Sequence, residues 1–190
     1  RSAAGTYLLF FGRIHPDKGT ATAIDVAERA GLPLTIAGII QDHEYFERMV
    51  EPRLDGERIK YIGPVGPEAR GDLLAGARAL LHLIDFEEPF GFSVVEAMAC
   101  GTPVIANARG SMPEIVRHGE GGYLVHGLDE AVAAVRALGD IDRLAVRASV
   151  ERRCEVDRMV VEFLVVYLGV LAQRRAGQDR LVSYSGFGVS

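Results

Sequence analysis

The chain has 190 residues, 48% hydrophobic and 25% charged, the proportions of one globular domain long enough to bury a proper core. Its formal net charge of -5 argues against nucleic acid as the main partner, because a duplex needs a basic face. A small anionic ligand is not excluded, since a few local cations and helix N-termini can hold one.

The opening RSAAGTYLLFFG (residues 1–12) has no methionine and no signal peptide and runs straight into a strand, as expected of a piece cut from something longer. In chain order, TYLLFF (6–11), PLTIAGI (33–39), RIKYIG (58–63), ALLHLI (79–84), PVIA (103–106) and GYLV (122–125) read as strands. Most are apolar on both faces, as strands of a parallel sheet covered by helices tend to be. Between them ATAIDVAERAG, DHEYFERMVEPRL, PEARGDLLAGA, SVVEAMACG and MPEIVRHG carry helical spacing, and Gly31, Gly101 and Gly119 stop three of them. The alternation predicts an α/β fold, a Rossmann-like doubly wound parallel sheet of about six strands, with ligands outside the carboxyl ends of the strands.

A single domain is expected: an α/β core over residues 6–127, closing helices over 128–173 and an unpatterned tail over 174–190. The segment FLVVYLGVLA (163–172) is too short for the ~18 apolar residues of a membrane span and reads as a core or domain-docking helix. Cys100 and Cys154 have no metal-like spacing, so reduced thiols in a cytoplasmic protein are expected.

The loop after the first strand, FFGRIHPDKGTATAI (10–24), is the first candidate site. The strand ends at Gly12, Arg13 follows, and HPDKG turns the chain into a helix from about Thr20. Exposed helix N–H groups carry partial positive charge, and Arg13 and Lys18 add two full charges nearby. The spacing is neither a Walker loop nor G-x-G-x-x-G. A surface turn with solvated cations competes with the site reading, and in that case Lys18 contributes little to folding. His15 reads as turn decoration, and His82, inside a strand, as a packed core residue.

The second candidate is DFEEPFGFSVVEAMACGTPVIA (85–106). Pro89 and Gly91 force a non-helical path, and Ser93 reads as a helix N-cap. Ser93 with Glu96 matches the capping box S-x-x-E, a structural role for that acid. Glu88 has no such role; it lies after a buried strand, either solvated or facing a ligand. Two ionised carboxylates at different depths of one crevice would accept hydrogen bonds from hydroxyl groups. Cations for phosphate and acids for sugar hydroxyls together fit a nucleotide diphosphate-sugar.

The stretch EPFGFSVVEAMACGTPVIA resembles the E-x7-E signature of retaining glycosyltransferases with the GT-B fold, family four in the usual sequence classification. GRIHPDKG is similar to that family's phosphate-binding loop, and GSMPEIVRHGEGGYLV to its "GLPEIVxxGxTGxLV" segment. The similarity covers roughly residues 7–125, in the family's order. Two departures stand out: Ile84-Asp85 where the family often has Pro-Ser, and Gly110-Ser111 where it usually has a glycine pair.

The resemblance implies the C-terminal, donor-binding half of a two-domain enzyme whose N-terminal acceptor domain lies outside this chain. It implies that Arg13 and Lys18, after Gly12, hold the diphosphate and stabilise charge on it as it departs. Glu88, with the backbone at Phe90 and Gly91, would hold the transferred sugar as nucleophile or as positioning group. Glu96 would hold the ribose hydroxyls, Gly63 to Val65 would line the base, and the helix opening at Phe92 and Ser93 would point its N-terminus at the phosphates. No metal or other cofactor is expected. The acceptor is an alcohol held mainly by the missing domain, and the parent enzyme is placed in the cytoplasm or at the inner face of the membrane. The closing segment MVVEFLVVYLGVL (159–171) is expected to dock partly on that domain, leaving this piece inactive alone. A GT-B phosphorylase, a sugar-nucleotide epimerase and a non-catalytic nucleotide-sugar-binding module are the alternatives.

Overall fold

A strand with apolar side chains on both faces has to be covered twice, and β1 (Tyr7–Phe11) shows how. Leu8 and Phe10 enter a core shared with α1 (Thr20–Ala30), while Leu9, pointing the other way, enters a second core. The computed structural model describes residues 5–184, with side chains to residue 174. After β1 come β2 (Leu34–Ala37), β3 (Ile59–Tyr61), β4 (Ala77–His82), β5 (Val104–Asn107) and β6 (Gly122–Val125). They form one all-parallel sheet in the order β3-β2-β1-β4-β5-β6, the expected doubly wound fold. The order reverses between β1 and β4, so the loops leaving these two strands diverge and open a crevice.

On one face α1 packs with α6 (Leu128–Ala137), whose Val132 and Val135 meet Leu81 and Ile105 in the same core. On the other, α4 (Phe92–Ala99) and α7 (Arg143–Glu151) cover Leu9, Leu80 and Val104 with Val94, Met98 and Val146. The helix α3 (Pro67–Gly76) adds buried Leu74 to that side. Because α6 and α7 are part of these two cores, the described chain divides after Glu151, not at residue 127.

Two expected helices are shorter than their spacing suggests. In DHEYFERMVEPRL only His43–Tyr45 (α2) is α-helical, followed by a π turn at Phe46–Val50 and a 3-10 turn at Glu51–Arg53. Pro52 has no N–H to continue the ladder, and the wider turn absorbs the break. In MPEIVRHG the helix α5 is one turn, Met112–Ile115, because Val116 turns extended and is fully buried.

Beyond residue 151 the second unit holds α8 (Val156–Tyr184), so residues 174–184, read as tail, continue a helix. Residues 185–190 lie outside the described part. The Arg158–Glu162 pair at 2.8 Å supports α8 at the i,i+4 spacing. Apolar side chains such as Phe163, Leu164 and Leu168 are exposed on it. No helix among the described residues is long and apolar enough to cross a membrane.

Candidate functional site

Two backbone contacts bring the loops after β1 and β4 together. Gly19 sits at φ 72° with its Cα against the Leu83 carbonyl, where any Cβ would collide. One residue pair away, Asp85 N donates to Asp17 O at 2.8 Å. Lys18, the last residue of a 3-10 turn (Pro16–Lys18), is thereby carried to the acidic loop. Its Nζ donates to Glu88 Oε2 at 2.8 Å and lies 4.4 Å from the centre of the Phe86 ring. Only 18% of the Lys18 side chain and 15% of the Glu88 side chain are exposed. The solvated-turn reading of Lys18 is therefore wrong: the turn is closed by an ion pair that water barely reaches.

Arg13 is fixed from two sides, Nη1 to Gln41 Oε1 and Nη2 to Asp17 Oδ2, both at 2.7 Å. His15 Nδ1 lies 2.7 Å from Asp17 Oδ1 and 3.4 Å from Asp17 N. The shorter contact governs, with Nδ1–H donating to the carboxylate, so His15 holds Asp17 and Asp17 holds Arg13.

The expected N-cap is corrected. The helix α4 starts at Phe92 with Gly91 as its cap at φ 83°, and no side chain caps it. Ser93 is already inside the helix, so the S-x-x-E pattern makes no capping box. Glu96 faces outward instead, its Oε1 accepting from Arg70 Nη1 at 2.8 Å. An uncapped helix N-terminus next to Lys18 and Arg13 keeps its N–H groups available for an anion.

The acidic loop is braced by the loop after β5. Gly110, at φ 54°, presses on the Glu88 backbone so closely that a Cβ has no room. Its N–H donates to Glu87 Oε2 at 2.6 Å. Ser111 N donates to Glu88 O and Ser111 Oγ to Phe90 O, each at 2.9 Å. The turn from Glu88 to Gly91 is therefore held by backbone contacts that do not involve its side chains. Phe90 and Phe92 pair above it with ring centres 4.6 Å apart.

A cavity of about 410 Å³ gathers Gly12, Arg13, Lys18, Phe92, Ser93 and Glu96. Glu88 joins through Lys18, and Phe90 and Gly91 border it in the chain. Gly63 and Val65 do not line this cavity; Gly63 O is instead engaged by Gly38 N at 2.9 Å. Phe11, Ile39 and Arg70 line it as well. Arg70 escaped the sequence reading although a cation one turn into the helix after the expected base-lining segment was a usable signal. Gln41 offered none. His82 is buried as expected at 7% exposure, yet it also lines the cavity, and its Nε2 has no partner. Burial, then the charge of Lys18, lowers its pKa to about 4, against the opposing charge of Glu88. It is a neutral imidazole under a charged site.

A doubly wound parallel sheet whose first loop offers cations to an acidic loop and helix start after its fourth strand is one Rossmann half of the GT-B architecture. Residues 3–148 match the family described as glycosyl transferases group 1, and the chain belongs to that family. It is 32% identical to D-inositol 3-phosphate glycosyltransferase of Acidothermus cellulolyticus, across 96% of this chain and 45% of that protein. N-acetyl-alpha-D-glucosaminyl L-malate synthase of Bacillus anthracis is also 32% identical, over 64% of this chain and 33% of that protein. Among solved structures, AviGT4, a glycosyltransferase involved in avilamycin A biosynthesis, superposes with a TM-score of 0.78 at 32% identity. That match covers 90% of this chain and 53% of AviGT4. HepE of Anabaena, solved with UDP-glucose, gives a TM-score of 0.72 at 22% identity over 85% of this chain and 49% of its own, a likeness of fold. The chain spans about half the length of these first relatives.

Proposed function

We propose that the chain is the donor-binding half of a retaining glycosyltransferase that moves a sugar from a nucleotide diphosphate to an acceptor hydroxyl. The observation that carries the reading is the Lys18–Glu88 pair at 2.8 Å beside the open N-terminus of α4. It puts a phosphate-binding cation and a hydroxyl-binding acid within one ligand's reach, which a fold alone does not require. Arg13 and Lys18 meet the diphosphate, Glu88 and the Phe90–Gly91 backbone the sugar, and Glu96 the ribose. Gly63 to Val65 remain the proposed base contacts at the edge of the site.

In the reaction the bond from the anomeric carbon to the diphosphate oxygen breaks, and a bond to the acceptor oxygen forms on the same face. The acceptor proton passes to the departing phosphate oxygen. Charge grows on the diphosphate as this happens, so Arg13, Lys18 and the α4 N-terminus stabilise the transition state more than the ground state. Glu88, neutralised by Lys18 in the empty site, acts in this reading as a positioning group for the sugar. These cations supply the electrostatic stabilisation, and the reading needs no metal. The acceptor is an alcohol held mainly by a domain outside this chain, on which part of α8 docks through its exposed apolar side chains.

Calorimetric titration of the chain with a panel of nucleotide sugars, beginning with UDP-glucose, tests donor binding. Turnover and product anomer measured on the longer parent protein then test transfer and its stereochemistry. A chain that binds no nucleotide sugar would sink the proposal, and donor binding without turnover in the parent would reduce it to a binding module.

A further inference from the structure

We propose that Arg70 is the positioning residue for Glu96 and thereby sets the selectivity for the ribose diol; this rests on the donor-binding reading above. Arg70 stands one turn into α3, its backbone N–H bonded to Gly66 O at 3.1 Å. From there its guanidinium carbon lies 5.5 Å from the centre of the Phe11 ring, and its Nη1 reaches Glu96 Oε1 at 2.8 Å. All three side chains line the cavity that holds Arg13 and Lys18.

Stability does not account for this arrangement. The two side chains are 35% and 36% exposed, and ion pairs that open to water contribute little to folding. The pair is also made by one nitrogen, and the buried Nε of Arg70 has no acceptor at all. A planar five-donor fork held in a cavity with a free N–H is poorly used as a surface salt bridge and well used as a fixed support.

The support acts on Glu96 in two ways. With Oε1 tied to Nη1, the carboxylate has one orientation, and Oε2 has no hydrogen bond among the described residues. Oε2 and the second lone pair of Oε1 then offer two acceptors to two neighbouring hydroxyls, the 2′ and 3′ groups of a ribose. The Arg70 charge also cancels that of Glu96, so an acid can sit in a cavity that must admit a diphosphate without repelling it. Without Arg70 the acid is free to rotate and is an uncompensated negative charge.

The test compares each nucleoside diphosphate that binds best, chosen from ADP, CDP, GDP and UDP, with its 2′,3′-dideoxy counterpart by calorimetry on the 190-residue chain. The Kd ratio between the two reads the diol alone, because general charge attraction and fold integrity affect both ligands alike. Wild type is expected to favour the ribonucleotide about tenfold to a hundredfold, the size of one lost charge-assisted contact. Arg70→Leu should bring the ratio below about threefold although Glu96 is still present, matching Glu96→Gln. Arg70→Lys, which keeps the charge but not the fork, should fall between. A ratio preserved in Arg70→Leu while both affinities drop together would overturn the positioning role and leave donor binding standing. A wild type that binds none of the nucleotides would overturn the donor-binding reading, and this inference with it.

Discussion

Lys18→Ala should destabilise the fold, although the residue sits in a turn. Its ammonium and the Glu88 carboxylate are 2.8 Å apart with 18% and 15% of the side chains exposed, so truncation strands an acid where water reaches it poorly. Removing one partner of a fully buried pair costs about 3–5 kcal/mol, whereas an exposed pair contributes about 0–1 kcal/mol. At this exposure roughly 2 kcal/mol is the intermediate expectation. For a chain of this size that lowers Tm by roughly 4–8 °C. Adding Glu88→Gln to Lys18→Ala should restore most of the loss, since a neutral amide needs no counter-ion. For the donor, a charge-assisted contact from Lys18 to phosphate is worth roughly 1.5–3 kcal/mol, but Lys18 must first release Glu88. Sugar hydroxyls donating to Glu88 offset part of that, so the net weakening sits near the lower end, about tenfold in Kd. Thermal melts and titrations of the two single variants and the double variant give the coupling energy directly. A coupling under about 0.5 kcal/mol, with Tm unmoved in Lys18→Ala, would refute the reasoning.

His82 accounts for part of the acid sensitivity. The unfolded chain takes up its proton near 6.5 and the folded one only near 4, so stability falls as pH drops through that window, by roughly 3 kcal/mol in all. In urea titrations from pH 7 downward, His82→Leu should flatten this part of the profile; an equally steep profile in the variant assigns the lability to other groups. Glu96→Gln should leave the melting temperature nearly unchanged, because the amide still accepts from Arg70, while donor Kd rises about tenfold; loss of stability with normal binding would return Glu96 to a purely structural role. The isolated chain should turn over donor and acceptor far more slowly than its parent protein, and comparable rates would remove the docking role given to α8.

The sheet was legible because each of its strands is a short apolar run, and in a parallel sheet burial on both faces leaves no polar alternation to confuse the reading. The two loops were legible for the opposite reason: Arg13, Lys18, Glu88 and Glu96 are charges at the ends of such runs, where nothing in the core needs them. The partners of those charges were not. Arg70 and Glu96 meet across 26 residues and Lys18 and Glu88 across 70, separations at which local patterns carry no signal. The helix start failed on the same ground. S-x-x-E is a sound local pattern, but Gly91 can take a left-handed conformation that Ser93 resists, and Arg70 competes for the acid. The shortened second helix was readable in principle, since Pro52 stands inside it.

The brace on the acidic loop separates tuning from chemistry. Gly110 and Ser111 grip the Glu88–Phe90 backbone, and their chain departs from the family's usual glycine pair at position 111. A substitution there moves the frame on which the sugar-facing groups are mounted while every group that carries charge stays in place. Donor preference can therefore drift, or be steered in the laboratory, through a serine hydroxyl that never meets the ligand. Libraries aimed at new donors gain more from positions 110 and 111 than from the acids themselves, because variants at 111 can shift the shape of the site with its electrostatics intact.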